Sequence, residues 1–306
     1  MLREASASLL LVLALAGPAA AVDIASCGQE VQEQETGILV ADLDCSSLTG
    51  TAAVVLRRGA TLDLQGHTIR AADTAGVGVA CAPGGIKCRE NAFTTICRAS
   101  PKPCVVTSSI GRGSVLGDTG ITSERAIILE HLLIQPSGTA VRVGSFGIVT
   151  AEDVLIEGGT GNGIYGPDKV THPGHGKGAR VALRNVGIQN CGAWGISALA
   201  GSVSGSLVSV QDNGLGGIFT SDLRAEAFDI SGNGAADNSD VCGGGICAAR
   251  IALVDSAVTG NLRNGYPLDL ASWWNKPKLR NSSCGTSGIP SYDPEPWSGW
   301  GVCSAD

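Results

Sequence analysis

The sequence predicts an all-β protein that is built from a coil of about 22 residues repeated along the chain. The first observation is an apolar position that recurs at Ile134, Ile156, Ile188, Val210, Ile230 and Val258. The second is a glycine seven residues later at Gly163, Gly195, Gly217 and Gly265, while Gly245 holds the same place after an insertion. The third is composition, because 44 glycines and only 4% aromatic residues suit short strands and tight turns better than helices.

The spacing between recurring positions indicates how the repeats stack. The steps are 22, 32, 22, 20 and 28 residues, and a second apolar column lies two residues earlier at Leu132, Val154, Val186, Val208 and Phe228, with Ser256 in the last place. A coil of three short strands advances by one inter-strand spacing, about 4.8 Å, so side chains of one type lie above each other. We therefore expect a solenoid of about eight coils.

A corner residue is predicted directly before each apolar column. His131, Asp153, Asn185, Asp255 and Asn281 occupy this place. Asparagine, aspartate and histidine are the non-glycine residues that most readily adopt the left-handed backbone region, which a tight corner requires. These residues are therefore predicted to shape the backbone and not to catalyse. Leu207 and Ala227 break the pattern, so their corners are expected to have another shape.

The first residues predict export. The stretch MLREASASLLLVLALAGPAAAVD has a basic residue, a short apolar run and small residues before the expected cleavage site after Ala21. Residues 1–21 are therefore predicted to be a signal peptide, which places the mature protein outside the cytoplasm, secreted or periplasmic. The apolar run is too short to span a bilayer, and no later stretch is long and apolar enough to do so.

Eleven cysteines in an exported chain predict disulfides. Neighbouring cysteines give the pairs Cys27–Cys45, Cys81–Cys104, Cys88–Cys97, Cys242–Cys247 and Cys284–Cys303. Four cysteines between 81 and 104 allow three connectivities, which stay open. Cys191 is left over and is expected to be a buried free thiol. Because a solenoid exposes its core at both ends, residues 22–50 are predicted to form an N-terminal cap, and residues 51–306 the coils with a C-terminal disulfide cap.

Several segments resemble a known family. EDVLIEGGTGNGIYG, LRNVGIQNCGAWGIS and SLVSVQDNGLGGIFT are similar to repeats of the pectin-lyase-like superfamily, and GATLDLQGHTI resembles the opening coil of such proteins. The resemblance covers roughly residues 51–304 and implies a single-stranded right-handed parallel β-helix with three short strands in each coil. It implies no single activity, because this architecture hosts lyases, hydrolases, epimerases and adhesins.

Three insertions follow the same strand of the coil and are therefore expected on one side of it. They lie near 80–104, 167–178 and 271–277, and the windows 87–102, 167–184 and 271–283 each carry a net charge of +3 in a chain of net charge −7. The acidic total argues against a nucleic-acid partner, whereas one basic face suits an anionic polysaccharide. The candidate substrate-binding residues are Lys169, Arg180, Trp273, Trp274 and Lys276.

Candidate catalytic residues cluster around the second insertion. They are His172, His175, Lys177, Arg184 and Tyr165. A lyase or epimerase must neutralise a uronate carboxylate and move a proton, which arginine, lysine, histidine and tyrosine are able to do. The carboxylate motifs of polygalacturonases are missing, so a lyase-like or epimerase-like activity is favoured over glycoside hydrolysis. The signatures of pectate lyases are missing too, and whether the protein is catalytic stays open.

Two function hypotheses follow. The first is an exported β-helix that binds, and in one version cleaves, an extracellular anionic polysaccharide on one lateral face. The alternative is a non-catalytic structural or surface-interaction β-helix. No cofactor is predicted apart from a weak calcium candidate at Asp237 and Asp240, whose carboxylates suit Ca²⁺ although their spacing matches no known calcium loop. The sequence predicts no oligomeric state.

Overall fold

A computed structural model describes residues 21–57, 59–81, 107–123, 125–144, 146–167, 178–234, 242–289 and 299–306. All regular elements in these ranges are β-strands. The first half contains β1 Ala21–Ile24, β2 Gln29–Val31, β3 Thr36–Leu39, β4 Leu43–Cys45, β5 Ala52–Leu56, β6 Thr61–Asp63, β7 Thr68–Ala71, β8 Val77–Cys81, β9 Thr107–Ser123, β10 Ala126–Val143, β11 Ile148–Glu157 and β12 Ile164–Tyr165. The second half contains β13 Arg180–Gln189, β14 Trp194–Gln211, β15 Gly216–Ser231, β16 Gly244–Val254, β17 Ala257–Thr259, β18 Leu262–Arg263, β19 Tyr266–Pro267, β20 Leu270–Ser272, β21 Lys278–Arg280, β22 Ser283–Cys284 and β23 Ser287–Gly288.

Parallel pairing joins the strands of the main sheet to strands one repeat later, whereas β18 and β19 form a separate antiparallel pair. Ile134 pairs with Ile156, Ile156 with Ile188, and Ile188 with Val210. The same register gives one continuous buried column of Leu43, Ile69, Val115, Ile134, Ile156, Ile188, Val210, Ile230, Val258 and Cys284. The predicted inward register is therefore confirmed for the recurring apolar positions. The all-β, parallel arrangement is compatible with a β-helix.

The recurring glycines lie where the backbone passes close to the apolar column. A Cβ atom at Gly163 would lie 2.5 Å from the Ile188 side chain, and one at Gly195 would lie 2.5 Å from the Val210 side chain. Any larger residue would therefore displace a core side chain. The prediction fails at Gly265, which lies between the two strands of the short antiparallel pair β18 and β19. The residue after Gly245, Ile246, pairs with Leu270 and not with Tyr266, the residue after Gly265.

Left-handed corners lie at every position where the sequence predicts them. The backbone angle φ is 52° at His131, 53° at Asp153, 52° at Asn185 and 49° at both Asp255 and Asn281. The expectation for the two exceptions was wrong, because Leu207 and Ala227 have φ angles of 57° and 52°. Strand pairing on both sides imposes the same corner on every coil, so the stack overrides local preference.

Replacing Leu207 by asparagine should stabilise the protein. Leu207 is 61% exposed at a left-handed corner, so the change removes backbone strain and loses little burial. We expect a gain of up to about 1 kcal/mol in the free energy of unfolding, measured by chemical denaturation. Leu155→Asn is the control, because Leu155 is also exposed but lies within a strand outside the left-handed region. A similar gain from both variants would contradict the corner explanation.

Residues predicted to cap the N-terminal end continue the stack. β1 pairs with β3, β3 with β6, and β4 with β7, all in parallel.

Disulfides join Cys27 to Cys45, Cys242 to Cys247 and Cys284 to Cys303, which are three of the expected pairs. Cys81 is buried, while Cys88, Cys97 and Cys104 lie outside the described residues, as do residues 1–20 of the expected signal peptide.

A buried ladder of amide side chains runs parallel to the apolar column, and the sequence interpretation missed it. Asn213 Nδ2 donates to Asn233 Oδ1 at 2.8 Å, Asn233 Nδ2 to Asn261 Oδ1 at 2.9 Å, and Asn261 Nδ2 to Asp269 Oδ1 at 2.9 Å. All four side chains are at most 2% exposed. The other Asp269 oxygen accepts hydrogen bonds from the backbone of Gly285 at 2.8 Å, so the ladder joins the last coil.

The C-terminal residues close against the last coil. Ser287 and the backbone amides of Val302 and Cys303 donate hydrogen bonds to the Asp306 side chain. Burial alone would raise the pKa of this carboxyl, but these hydrogen bonds outweigh it and lower the pKa below its usual value. The Trp300 indole donates to Gly288 O at 3.1 Å, and thus ties its ring to β23.

No helix in the described part of the chain has the length and apolar character needed to cross a bilayer.

Candidate functional site

A surface groove of about 330 Å³ lies where two of the predicted insertions meet the stacked strands. Gly178 and Arg180 enter it from the end of the second insertion, and Trp274 and Asn275 enter it from the third. The strands between them contribute Ala200, Gly201, Ser202, Ser221, Asp222, Ala249 and Arg250. The structure therefore brings together Arg180 and Trp274, two of the predicted substrate-binding residues that are 94 positions apart.

Register and strand alternation place the polar lining. Arg180 of β13 pairs with Ser202 of β14, Ser202 with Asp222 of β15, and Asp222 with Arg250 of β16. The residues that follow them point inward and are buried, namely Val181, Val203, Leu223 and Ile251. Because successive side chains in a strand point to opposite faces, the four polar residues lie in one outward-facing row. These four residues form the groove row.

The charges of the groove row are distributed unevenly. Arg250 donates to Asp222 at 2.8 Å, and Arg224 Nε lies 3.9 Å from the other oxygen of the same carboxylate. No ion pair joins Arg180 to another side chain in the described ranges, so its charge faces the groove unopposed. Among the described lining residues, Asp222 is the only carboxylate. The groove lining therefore presents the Arg180 cation at one end and the Asp222–Arg250 ion pair at the other.

The two neighbouring tryptophans have different environments. Trp273 lies near the Phe219 ring, 5.9 Å between centroids, and Phe219 stacks on Trp194 at 5.1 Å. This lateral apolar cluster also contains Cys242, Cys247 and Leu268. Trp274 is 59% exposed and lines the groove, so its ring is the one that a ligand is able to reach. Lys276 is exposed two residues further along the same insertion.

The predicted catalytic residues are only partly described. His172, His175 and Lys177 lie outside the described residues, as does Lys169. Tyr165 is covered by Arg142, whose guanidinium carbon lies 5.7 Å from the ring centroid. Arg184 forms an ion pair with Glu152 on the neighbouring strand. It lies four residues beyond Arg180 in β13, which is roughly 13 Å along an extended strand.

The described parts of the chain show no cluster that suits a metal ion. No group of three or more histidine, cysteine, aspartate or glutamate side chains in these ranges has a suitable arrangement. The calcium candidates Asp237 and Asp240 lie outside the described residues. Calcium at that loop stays an untested hypothesis.

Cys191 lies at the beginning of the amide ladder, where its backbone N–H donates to Asn213 Oδ1 at 3.0 Å. It forms no disulfide with a described cysteine and is 1% exposed. Burial raises the pKa of this thiol to about 12. Because the thiolate is the reactive form, Cys191 is a packing residue at neutral pH.

Comparisons with known proteins give limited information. No protein-family model matches the chain, and no curated protein does. One similar solved structure is the enzymatically active domain of tailspike protein 2 from bacteriophage CBA120, with 12% sequence identity and a TM-score of 0.48 over 88% of this chain. The full-length tailspike protein 2 from an Escherichia coli O157:H7 bacteriophage has 12% identity and a TM-score of 0.35 over 79% of this chain. The chain spans 38% and 39% of the lengths of these two proteins.

Proposed function

We propose that the protein binds an extracellular acidic polysaccharide in the groove between Arg180 and Trp274. The observation that carries this proposal is the convergence in one groove of the exposed Trp274 ring and the Arg180 guanidinium, which forms no ion pair with any described residue. An aromatic face packs against the apolar face of a sugar ring, and an arginine binds a carboxylate through parallel hydrogen bonds. The hydroxyl groups of Ser202 and Ser221 supply further hydrogen-bonding partners for sugar hydroxyls.

The proposal includes a more specific fold and location. The fold is a right-handed parallel β-helix of about eight coils, as the resemblance to pectin-lyase-like repeats implies. Right-handedness is supported by the strong general preference for right-handed connections between parallel strands of one sheet. Export is supported by the apolar N-terminal stretch and by three disulfides, which are typical of oxidising compartments.

Cleavage of the polymer is a separate part of the hypothesis. The described groove residues include one carboxylate, Asp222, and it is engaged in an ion pair with Arg250. A lyase-like or epimerase-like step would therefore depend on His172, His175 or Lys177 from the second insertion. Absorbance of unsaturated products after incubation with polygalacturonate distinguishes a lyase from a binding protein.

Loss of either principal groove side chain should weaken binding without affecting folding. We expect Arg180→Gln to lower the affinity for polygalacturonate about five- to tenfold, because one charge-assisted contact is removed. Trp274→Ala should lower it about tenfold, because a central aromatic contact is lost. Isothermal titration calorimetry measures the affinities, and melting temperatures should stay unchanged because both side chains lie at the surface.

A matched control separates the groove from general charge. Arg70 is exposed on β7 and does not line the groove, so Arg70→Gln should leave affinity unchanged. Binding by the wild type should also weaken with added salt, because exposed charges are screened over about 8 Å at physiological ionic strength. Equal losses in the Arg70 and Arg180 variants would exclude this groove as the binding site, and failure of the wild type to bind any acidic polysaccharide would refute the proposal.

A further inference from the structure

We infer that Asp222 determines specificity in the groove, so that it favours polymers whose acidic sugars are separated by neutral ones. This inference rests on the proposed function and narrows its substrate class. It follows from the order of the groove row, in which Arg180, Ser202, Asp222 and Arg250 lie on four successive strands.

The dimensions of the groove row separate its two arginines. Neighbouring strands lie about 4.8 Å apart, so the backbones at Arg180 and Arg250 are roughly 14 Å apart. A neutral serine and then a carboxylate lie between them. Trp274 lies near the Arg250 end, because it follows Ser272, which pairs with Ala248 on β16.

Ion pairing makes the two arginines unequal. The Asp222 side chain is 20% exposed and binds Arg250 at 2.8 Å, whereas Arg180 has no ion-pair partner among the described residues. An incoming carboxylate is therefore attracted at Arg180, but at the other end it must compete with Asp222 for Arg250. The exposed Trp274 ring at that end suits a neutral sugar. A polymer with an acid group on every sugar would place negative charge against the Asp222 carboxylate.

Asp222→Asn tests this inference by releasing Arg250. The probes are polygalacturonate, which has a carboxylate on each sugar, and deacylated gellan, in which one acidic sugar alternates with three neutral ones. The wild type should bind gellan more tightly than polygalacturonate. In the variant, affinity for polygalacturonate should rise about two- to fivefold, as expected for one exposed charge interaction, and affinity for gellan should change less than about twofold.

Glu226→Gln is the matched control. Glu226 is exposed on the same strand β15 and does not line the groove, so the variant loses the same charge without freeing Arg250. Equal gains for both polymers in Asp222→Asn, or the same gain in Glu226→Gln, would overturn the inference, since net charge would then explain the effect. Weaker binding of both polymers by Asp222→Asn would also overturn it and would make Asp222 a residue that only positions Arg250. These outcomes leave the proposed function intact. The proposed function fails only if the wild type binds neither polymer, or if binding does not depend on Arg180 and Trp274.

Discussion

Ile188→Asp should prevent the protein from folding at neutral pH. Ile188 is 1% exposed and lies between Ile156 and Val210 in the apolar column, so a carboxylate at this position would be surrounded by apolar side chains. An unpaired buried charge belongs to the small group of changes that cost more than about 4 kcal/mol. Circular dichroism during thermal unfolding should show either no transition or a melting temperature far below that of the wild type.

Arg180→Asp provides the comparison for Ile188→Asp, because it introduces the same side chain at an exposed position of the same strand. We expect a change of less than about 0.5 kcal/mol in the free energy of unfolding. Equal thermal shifts in the two variants would mean that the inward register is wrong, because a slip of one residue reverses the direction of each side chain.

The second large effect is expected at Asn233, in the middle of the amide ladder. Asn233→Leu has similar volume but removes the acceptor of the Asn213 backbone and side-chain amides and the donor to Val210 O and Asn261 Oδ1. Each buried polar group that loses its only partner costs about 1–3 kcal/mol. We expect a loss of at least about 3 kcal/mol in the free energy of unfolding, measured by denaturant titration.

Gln211→Leu is the control for the ladder. Gln211 also forms a side-chain hydrogen bond, to Asp229 at 2.8 Å, but it points outward and water replaces the lost partner. Its substitution should cost less than about 0.5 kcal/mol. A comparable loss in both variants would show that the buried position of Asn233 has no special importance.

The sequence predicts the core and the corners because both repeat within it. Ile134, Ile156 and Ile188 identify the inward column without any knowledge of pairing, and the corner follows from Asp153 and Asn185 directly before it. Leu207 shows the limit of this reasoning, because its left-handed backbone is imposed by the adjoining strands. Gly265 shows another limit, since it lies inside an additional antiparallel pair, and Leu270 further along the chain is the residue that pairs with Ile246.

The groove row could not be identified from the sequence. Ser202, Asp222 and Arg250 lie within regular strands and become neighbours of Arg180 only through the register of four coils. Arg180 was predicted because it lies at the edge of one insertion, and Trp274 because it lies within another. The grouping of Arg184 with Tyr165 relied on distance along the chain, whereas in the structure these residues contact Glu152 and Arg142 respectively.

The amide ladder did leave a signal in the sequence. Its members Asn213, Asn233 and Asn261 each lie three residues after an apolar-column position, and Cys191 holds the same place after Ile188. Comparing the residues at this offset would have identified a third inward column. The signal was overlooked because asparagine is common in turns, where its usual role is to shape the backbone locally.

The amide ladder also gives the stack a polarity. Each asparagine donates to the next, but Asp269 as a carboxylate only accepts, so the series ends there and its second oxygen engages Gly285 and Thr286. A duplicated unit such as residues 214–233 would fit between existing units, because its donor and acceptor match those of its neighbours. The same unit placed after Asp269 would have no donor for its asparagine side-chain oxygen, because the Asp269 carboxylate has no N–H group. Asp269 therefore ends the amide ladder. Insertions or losses of whole coils are expected at positions before Asp269 in the chain.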